Sequence, residues 1–138
     1  MVAEDAERAG STVYKIVESA AWQQAIVEGF YGGSADDRRD GFIHLSTARQ
    51  LEGTARKHFS GRENLLLVAF DAAALGSELR WEASRGGALF PHFYAPLRVG
   101  LALWSRSLSL DVDDVPNVAQ ALAANVSTDR VATGSDRR

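Results

Sequence analysis

Three histidines, His44, His58 and His92, are the side chains of this 138-residue chain whose ordinary titration lies near neutral pH. Because the chain has no cysteine, general acid–base chemistry or metal binding would start from them. His58 lies beside Lys57 near the predicted end of a helix, where a cationic ring would complement the helix dipole. We therefore expect chemistry at His44 and His92 and a structural role for His58.

His44 lies in a short predicted strand, Phe42 to Leu45, just before two hydroxyl side chains. Ser46 and Thr47 begin a predicted helix, and either of them can be its N-cap. A strand end, hydroxyl groups and the free N–H groups of a helix start can together bind one polar or anionic ligand. The alternative for His44 is a core histidine that is hydrogen-bonded to a backbone carbonyl.

His92 lies in the segment from Phe90 to Tyr94, which Pro91 and Pro96 keep from being helical. We predict an extended loop that crosses the sheet, with aromatic rings that form the walls of a pocket. The alternative is a proline-stiffened loop whose rings only cover one edge of the core.

Arg80, Trp81 and Glu82 lie in another predicted strand, whose alternation sends Trp81 to one face and the two charged side chains to the other. With Trp81 in the core, Arg80 and Glu82 face a cleft or the solvent. They are then either part of a ligand site or a surface ion pair.

The elements that position these residues alternate between strands and helices in the first half of the chain. Thr12 to Val17 is a β-branched strand, and a helix follows from Ala20 to Glu28, with Ser19 as its N-cap and Gly29 at its end. The segment from Tyr31 to Gly41 is rich in glycine and charge, so we predict an exposed, mobile loop there.

The second half of the chain adds one amphipathic helix, with Leu51, Ala55 and Phe59 on one face, and then mainly strands. Leu65 to Phe70 reads as a central strand that is buried on both faces. This order predicts one α+β domain with a mixed sheet and two early helices. The other predicted elements are a helical turn between Asp71 and Gly76, a long strand from Val99 to Leu110 and a helix from Val115 to Asn125.

The composition fits a single domain, because 46% of the residues are hydrophobic and 24% are charged. We place the domain at residues 12–110, a C-terminal extension with helical content at 111–126, and flexible tails at 1–11 and 127–138. The net charge of −3 gives no broad positive field for nucleic acid. The chain also lacks a bilayer-spanning apolar run and a basic, apolar signal peptide, so we expect a cytoplasmic protein.

A longer set of motifs extends over the segment from roughly Val13 to Leu108: Asp40-Gly-Phe-Ile-His-Leu-Ser-Thr47, Gln50, Arg80-Trp-Glu82, Phe90-Pro-His-Phe-Tyr94 and Pro96-Leu97. This set resembles a bacterial family known as Domain of Unknown Function 952. That family is similar in fold to the ADP-ribosyltransferases, including the tRNA 2′-phosphotransferases, whose split, mixed sheet encloses a cleft for NAD or an ADP-ribosylated intermediate.

The resemblance implies a role for most of the candidate residues. His44 with Ser46 resembles the His-x-Ser/Thr motif whose imidazole holds the ribose hydroxyls beside nicotinamide. Tyr94 would stack on the nicotinamide ring, and Glu82 or His92 would take the third, catalytic position. Thr47 and Arg80 complete the expected ligand-binding set, with NAD as a substrate.

Three function classes remain open from the sequence. The preferred one is an enzyme or ligand-binding domain in which Glu82 stabilises a positively charged ribosyl group. The alternative is a noncatalytic module that binds a small molecule or a partner through exposed aromatic rings between Phe90 and Tyr94. A metal hydrolase would need His44, His58 and His92 to converge without any known ligand spacing, so we predict no metal site. The sequence does not fix the oligomeric state.

Overall fold

The computed structural model describes residues 11–124, which form three antiparallel sheets and several helices. The strands are β1 (Thr12–Glu18), β2 (Phe30–Tyr31), β3 (Ile43–His44), β4 (Leu65–Asp71), β5 (Leu79–Ala83), β6 (Leu89–Phe93), β7 (Leu97–Arg98) and β8 (Ala102–Leu108). Their order is β1-β4-β8 in the first sheet, β2-β7 in the second and β3-β6-β5 in the third. The helices are α1 (Ser19–Glu28), α2 (Ala35–Asp40), α3 (Ala48–Phe59) and α4 (Ala72–Leu75), and residues 118–124 are also helical.

The predicted α+β single domain is confirmed, whereas the predicted mixed sheet is wrong. Each strand pair in the described residues is antiparallel. The strand–helix–strand order of the first half had suggested parallel crossovers, but β1, β2 and β3 each pair with a strand from later in the chain. The predicted tails, apart from Ser11, lie outside the described residues.

Strand β4 is central and buried on both faces, as predicted. Leu67 packs on one face, in an apolar cluster with Leu51 of α3 and Val118 of the C-terminal helical segment. Phe70 packs on the opposite face, in a second cluster with Trp22 of α1. The first sheet is therefore covered on both sides, which fixes the positions of β1 and of the helices around it.

Helix α1 begins one residue before the predicted start. Glu18 is its N-cap and makes no side-chain hydrogen bond there, so the prediction of Ser19 as the cap is wrong. The N–H of Ser19 instead donates to the carbonyl of Asn64 at 2.8 Å. Gly29 ends the helix as predicted, with a left-handed φ of 92°.

Two glycine substitutions are expected to change stability in opposite directions. Gly29→Ala forces a side chain into the left-handed region and should lower the free energy of unfolding by about 1–2 kcal/mol. Gly53→Ala, inside α3 with open space around its Cα, should raise it by about 0.5–1 kcal/mol because alanine is the better helix former. Urea unfolding of both variants checks this, and changes of the same sign would contradict it.

The segment around His92 is a strand rather than the predicted loop. Strand β6 contains Pro91 and lies between β3 and β5 in the third sheet. The carbonyl of Pro91 accepts the N–H of Leu45 at 3.0 Å, just beyond the end of β3. A proline is tolerated here because its missing N–H faces the point where β3 has ended. His92 is therefore held by strand pairing on both sides.

Candidate functional site

His44 and His92 occupy directly opposed positions in the antiparallel pair of β3 and β6. Their rings lie on the same face of the third sheet, with centroids 5.6 Å apart. The neighbours Ile43 and Phe93 are buried on the opposite face, in the apolar cluster of α1. Strand alternation, as predicted for His44, therefore brings the two imidazoles together.

Asp37 of α2 contacts both the ring and the backbone of His44. Oδ1 of Asp37 lies 2.6 Å from Nδ1 of His44 and accepts the backbone N–H of the same residue at 3.0 Å. The carboxylate also pairs with Lys15 of β1, whose Nζ lies 2.9 Å from Oδ2. The side chains of Asp37 and Lys15 are only 2% and 8% exposed, so this is a buried ion pair.

The electrostatics of this pair favour the ionised carboxylate. Burial alone would raise the pKa of Asp37, but the hydrogen bond to His44, the charge of Lys15 and two backbone N–H donors hold it well below its ordinary value. Burial lowers the pKa of Lys15, and the charge of Asp37 opposes that effect. The lysine is thus the counterion of a buried carboxylate.

Helix α2 supplies Asp37, so the prediction of a loop at this position is wrong, although most residues of the segment are exposed, as predicted. Ser34 is the N-cap of α2: its Oγ accepts the N–H of Asp37 at 3.2 Å, and Oδ2 of Asp37 accepts the N–H of Ser34 at 2.8 Å. This reciprocal capping box stabilises a helix that has no apolar face. The spacing Ser34-x-x-Asp37 is the sequence signal for this helix, because a serine followed three residues later by an acidic side chain can form such a capping box.

Glu82, from the neighbouring strand β5, and Tyr94 contact His92 on the same sheet face. Oε1 of Glu82 lies 2.7 Å from Nδ1 of His92 and accepts the hydroxyl of Tyr94 at 2.7 Å. The hydrogen bonds from His92 and Tyr94 lower the pKa of Glu82, and the bond to Glu82 raises the pKa of Tyr94. The guanidinium of Arg80 lies 4.7 Å above the Tyr94 ring. Trp81 packs toward the core, as predicted.

Phe42 lies among these rings and was not a predicted site residue. Its ring stacks on His92 with a centroid distance of 4.0 Å and lies 4.6 Å from His44. Tyr94 is the third neighbour, at 5.3 Å. Phe42 therefore fixes the relative orientation of the two histidines.

A cleft of about 220 Å³ opens beside this cluster. His44, His92 and Ser46 line it, as expected, and His58 lines it as well, which the expected structural role did not include. Its other polar lining residues include Tyr14, Lys15, Asp36, Asp37, Arg39, Asp40 and Thr54.

Several predicted site residues do not line this cleft. Thr47 is the N-cap of α3, and its hydroxyl accepts the N–H of Gln50 in a capping box. Glu82 contacts His92 and Tyr94, the guanidinium of Arg80 lies over the Tyr94 ring, and Tyr94 and Phe42 line a second cavity of about 210 Å³. Ser46, in contrast, lines the cleft but is largely buried, and its Oγ lies 3.0 Å from Oγ1 of Thr54.

The aromatic segment from Phe90 to Tyr94 is not the exposed surface that the alternative of a noncatalytic binding module requires. Phe93 and His92 are buried, and Phe90 and Tyr94 are half-buried. The reason is the central position of β6, whose two faces are covered by the core and by the histidine cluster. A large partner would find little aromatic surface here.

Both cationic and anionic side chains line the cleft, and its Lys15 and Arg39 each form an ion pair with a carboxylate. Lys15 is bound to Asp37, and Arg39 contacts both Asp36 and Asp40. The hydrogen bond from Arg39 lowers the pKa of Asp40, whose Oδ2 also lies 3.0 Å from Nε2 of His44. In residues 11–124 no cluster of ligating side chains has the arrangement of a metal site.

The fold and the site define a small α+β protein with two carboxylate-held imidazoles at one cleft. A family model described as Protein of unknown function (DUF952) matches residues 16–104, and the chain belongs to this family. The expected family resemblance is thereby confirmed.

Solved structures of protein CC0527 from Caulobacter crescentus are similar to this chain. The protein in the X-ray structure shares 49% sequence identity with this chain. The match covers 82% of this chain and 99% of the CC0527 chain, with a TM-score of 0.80. Its solution NMR structure is also 49% identical, covers 82% of this chain and 97% of its own, and has a TM-score of 0.74. No curated protein matches the chain. Within residues 11–124 no helix has the length and apolar character needed to cross a membrane.

Proposed function

We propose that the cleft binds a ribosyl-containing nucleotide, such as NAD or ADP-ribose, in a fold similar to that of the ADP-ribosyltransferases. One observation carries this proposal: His44 and His92 face one cleft from paired strands, and each has Nδ1 held by a carboxylate. An imidazole fixed in this way can hydrogen-bond a ribose hydroxyl at a defined position, and His44 has this role in the proposal.

The arrangement of the sheets supports the same proposal. The first sheet and the third sheet are separate, and a single bridge between Tyr14 of β1 and Ser46 connects them beside the cleft. A divided sheet with a cleft at the division is the feature that the ADP-ribosyltransferase resemblance implies.

The size and charge of the cleft indicate which part of the ligand would enter. Its volume of about 220 Å³ is smaller than the roughly 300–1,000 Å³ typical of sites that enclose a whole ligand. Lys15 and Arg39 are both paired with carboxylates and offer no uncommitted charge to a phosphate. The ribosyl group would therefore lie in the cleft and the phosphates outside it, while the ring-stacking role of Tyr94 requires a ligand that extends past Phe42.

Calorimetric titration with NAD and ADP-ribose tests this function. We expect binding to the wild type and a loss of affinity of about tenfold or more in His44→Ala, because a ribose hydroxyl would replace the partly exposed carboxylate of Asp40 at Nε2 of His44, and this hydrogen bond is removed. Gln24→Ala, on the exposed face of α1 and outside both cavities, is the matched control and should bind normally. A folded wild type that gives no heat with either nucleotide would refute the proposal.

A noncatalytic small-molecule module is the second candidate, and one observation favours it. The carboxylate of Glu82, expected to stabilise a ribosyl cation, already accepts two hydrogen bonds and does not line the cleft. On this alternative, NAD would bind without release of nicotinamide. Chromatography of a mixture of protein and NAD separates the two candidates.

A further inference from the structure

The two histidines differ in the ring nitrogen that they leave available. Both nitrogens of His44 lie near carboxylates, Nδ1 near Asp37 and Nε2 near Asp40. His92 has only Nδ1 engaged, by Glu82. Of the two carboxylate-held imidazoles, His92 is therefore the one that can bind a ligand through its second nitrogen without first displacing a carboxylate.

The free nitrogen of His92 reaches the cleft. Its side chain is only 6% exposed, and Nε2 makes no hydrogen bond to the described residues. Nε2 is nevertheless not fully buried, because it does not belong to the fully buried side-chain atoms without a hydrogen-bond partner in residues 11–124. The small accessible edge of the ring therefore carries Nε2, and His92 lines the cleft.

The neighbours of His92 determine which nitrogen carries the proton in the neutral ring. Glu82 is a carboxylate, because the hydrogen bonds from His92 and Tyr94 lower its pKa, and a carboxylate only accepts. Nδ1 must then be the donor, which leaves the lone pair on Nε2. Phe42, stacked on the ring at 4.0 Å, prevents the imidazole from turning away.

We infer that His92 is the general base that takes a proton from a hydroxyl acceptor, water or an alcohol, when the ribosyl group of a nicotinamide nucleotide is transferred at this cleft. This inference rests on the proposed function and adds the acceptor class and the reaction. Glu82 and Tyr94 are positioning residues in this scheme, and Glu82 is not the group that faces the ribosyl cation.

The step balances without a further reactant. The bond between C1′ and the pyridinium nitrogen breaks, and its electron pair leaves with neutral nicotinamide. The acceptor oxygen forms a new bond to C1′, and its proton passes to Nε2 of His92 and then to solvent. With water as the acceptor, NAD gives ADP-ribose, nicotinamide and one proton.

The test compares wild type, His92→Gln, Glu82→Gln and the Gln24→Ala control for release of nicotinamide from NAD and for ADP-ribose binding. We expect His92→Gln to lower release by about 100-fold or more while ADP-ribose affinity stays nearly unchanged. Glu82→Gln should lower release by about tenfold or more, since an amide can also donate to Nδ1 and favour the wrong tautomer.

A ¹⁵N spectrum of the imidazoles tests the tautomer that the inference requires, and the separation of nicotinamide release from ADP-ribose binding distinguishes it from a merely structural role. We expect His92 of the wild type to carry its proton on Nδ1, and Glu82→Gln to populate the other tautomer. This measurement also covers the case in which His92→Gln does not fold, because a proton on Nε2 of the wild type would overturn the inference by itself.

The remaining outcomes separate the inference from the proposed function. ADP-ribose binding without nicotinamide release, or equal release by wild type and His92→Gln, overturns the inference and leaves the binding function standing. Failure of the folded wild type to bind either nucleotide refutes the proposed function, and the inference falls with it.

Discussion

Asp37→Asn is expected to lower the free energy of unfolding by about 3–5 kcal/mol, the usual cost of removing one partner from a buried ion pair. The amide keeps the shape of the side chain but leaves Lys15 buried without its counterion. It also cannot accept all the donors that now converge on the carboxylate, namely the N–H of Ser34, the N–H and ring of His44, and the ammonium of Lys15.

The same variant should flatten the acid limb of the stability curve. The pKa of Asp37 in the folded protein lies below its ordinary value of 3.8, which approximates the unfolded chain. The stabilisation by its ionised form is therefore complete above about pH 5 and is lost as the pH falls through 3.8 toward the folded pKa. Asp37→Asn should lack this part of the loss between pH 4 and pH 2.

Asp36→Asn is the matched control for both measurements. It lies next to Asp37 in α2, but its side chain is 64% exposed and pairs only with the surface residue Arg39. We expect a change of less than about 1 kcal/mol, because exposed ion pairs contribute little. Urea unfolding at several pH values compares the two variants, and equal destabilisation by both would show that the buried pair is not a major source of stability.

The sequence made the meeting of His44 and His92 partly predictable. Alternation correctly placed His44 opposite to Ile43 and Leu45, and Trp81 opposite to Glu82. It did not give the pairing of β3 with β6, because that contact joins residues far apart in the chain. The motifs of the family resemblance, rather than periodicity, supplied the expectation of a common site.

The support beneath His44 could not be predicted from periodicity. Helix α2 has no apolar residue except alanine, so it gives no amphipathic signal, and its one buried side chain is the carboxylate of Asp37. Lys15 occupies a core-facing position of β1, on the same strand face as Val13 and Val17. A lysine at such a position is ordinarily expected in solvent, because its side chain is charged. Each residue is buried only because the other is present, and they lie in different elements.

This interdependence explains why a charged, glycine-rich segment is a site element rather than a loose loop. Asp37 satisfies the start of its own helix through Ser34 and then reaches Lys15 and His44. Local capping and tertiary pairing therefore use the same carboxylate. The stability of α2 and the orientation of His44 should consequently change together.

Lys15→Met is expected to be about as destabilising as Asp37→Asn, again by about 3–5 kcal/mol, because it leaves the carboxylate buried without its cation. Methionine retains most of the apolar stem of lysine, so the loss comes from the charge rather than from a cavity. Trp22, Tyr31 and the rest of the apolar cluster keep their contacts.

The double variant Lys15→Met/Asp37→Asn measures the coupling between the two side chains. We expect it to be more stable than the sum of the single losses predicts, by at least about 1 kcal/mol, since a neutral pair leaves no uncompensated buried charge. Urea unfolding of all four proteins at pH 7 gives the coupling energy. Additive losses would show that Lys15 and Asp37 stabilise the fold independently, and the electrostatic support of His44 would then have to be assigned to Asp40 and the backbone.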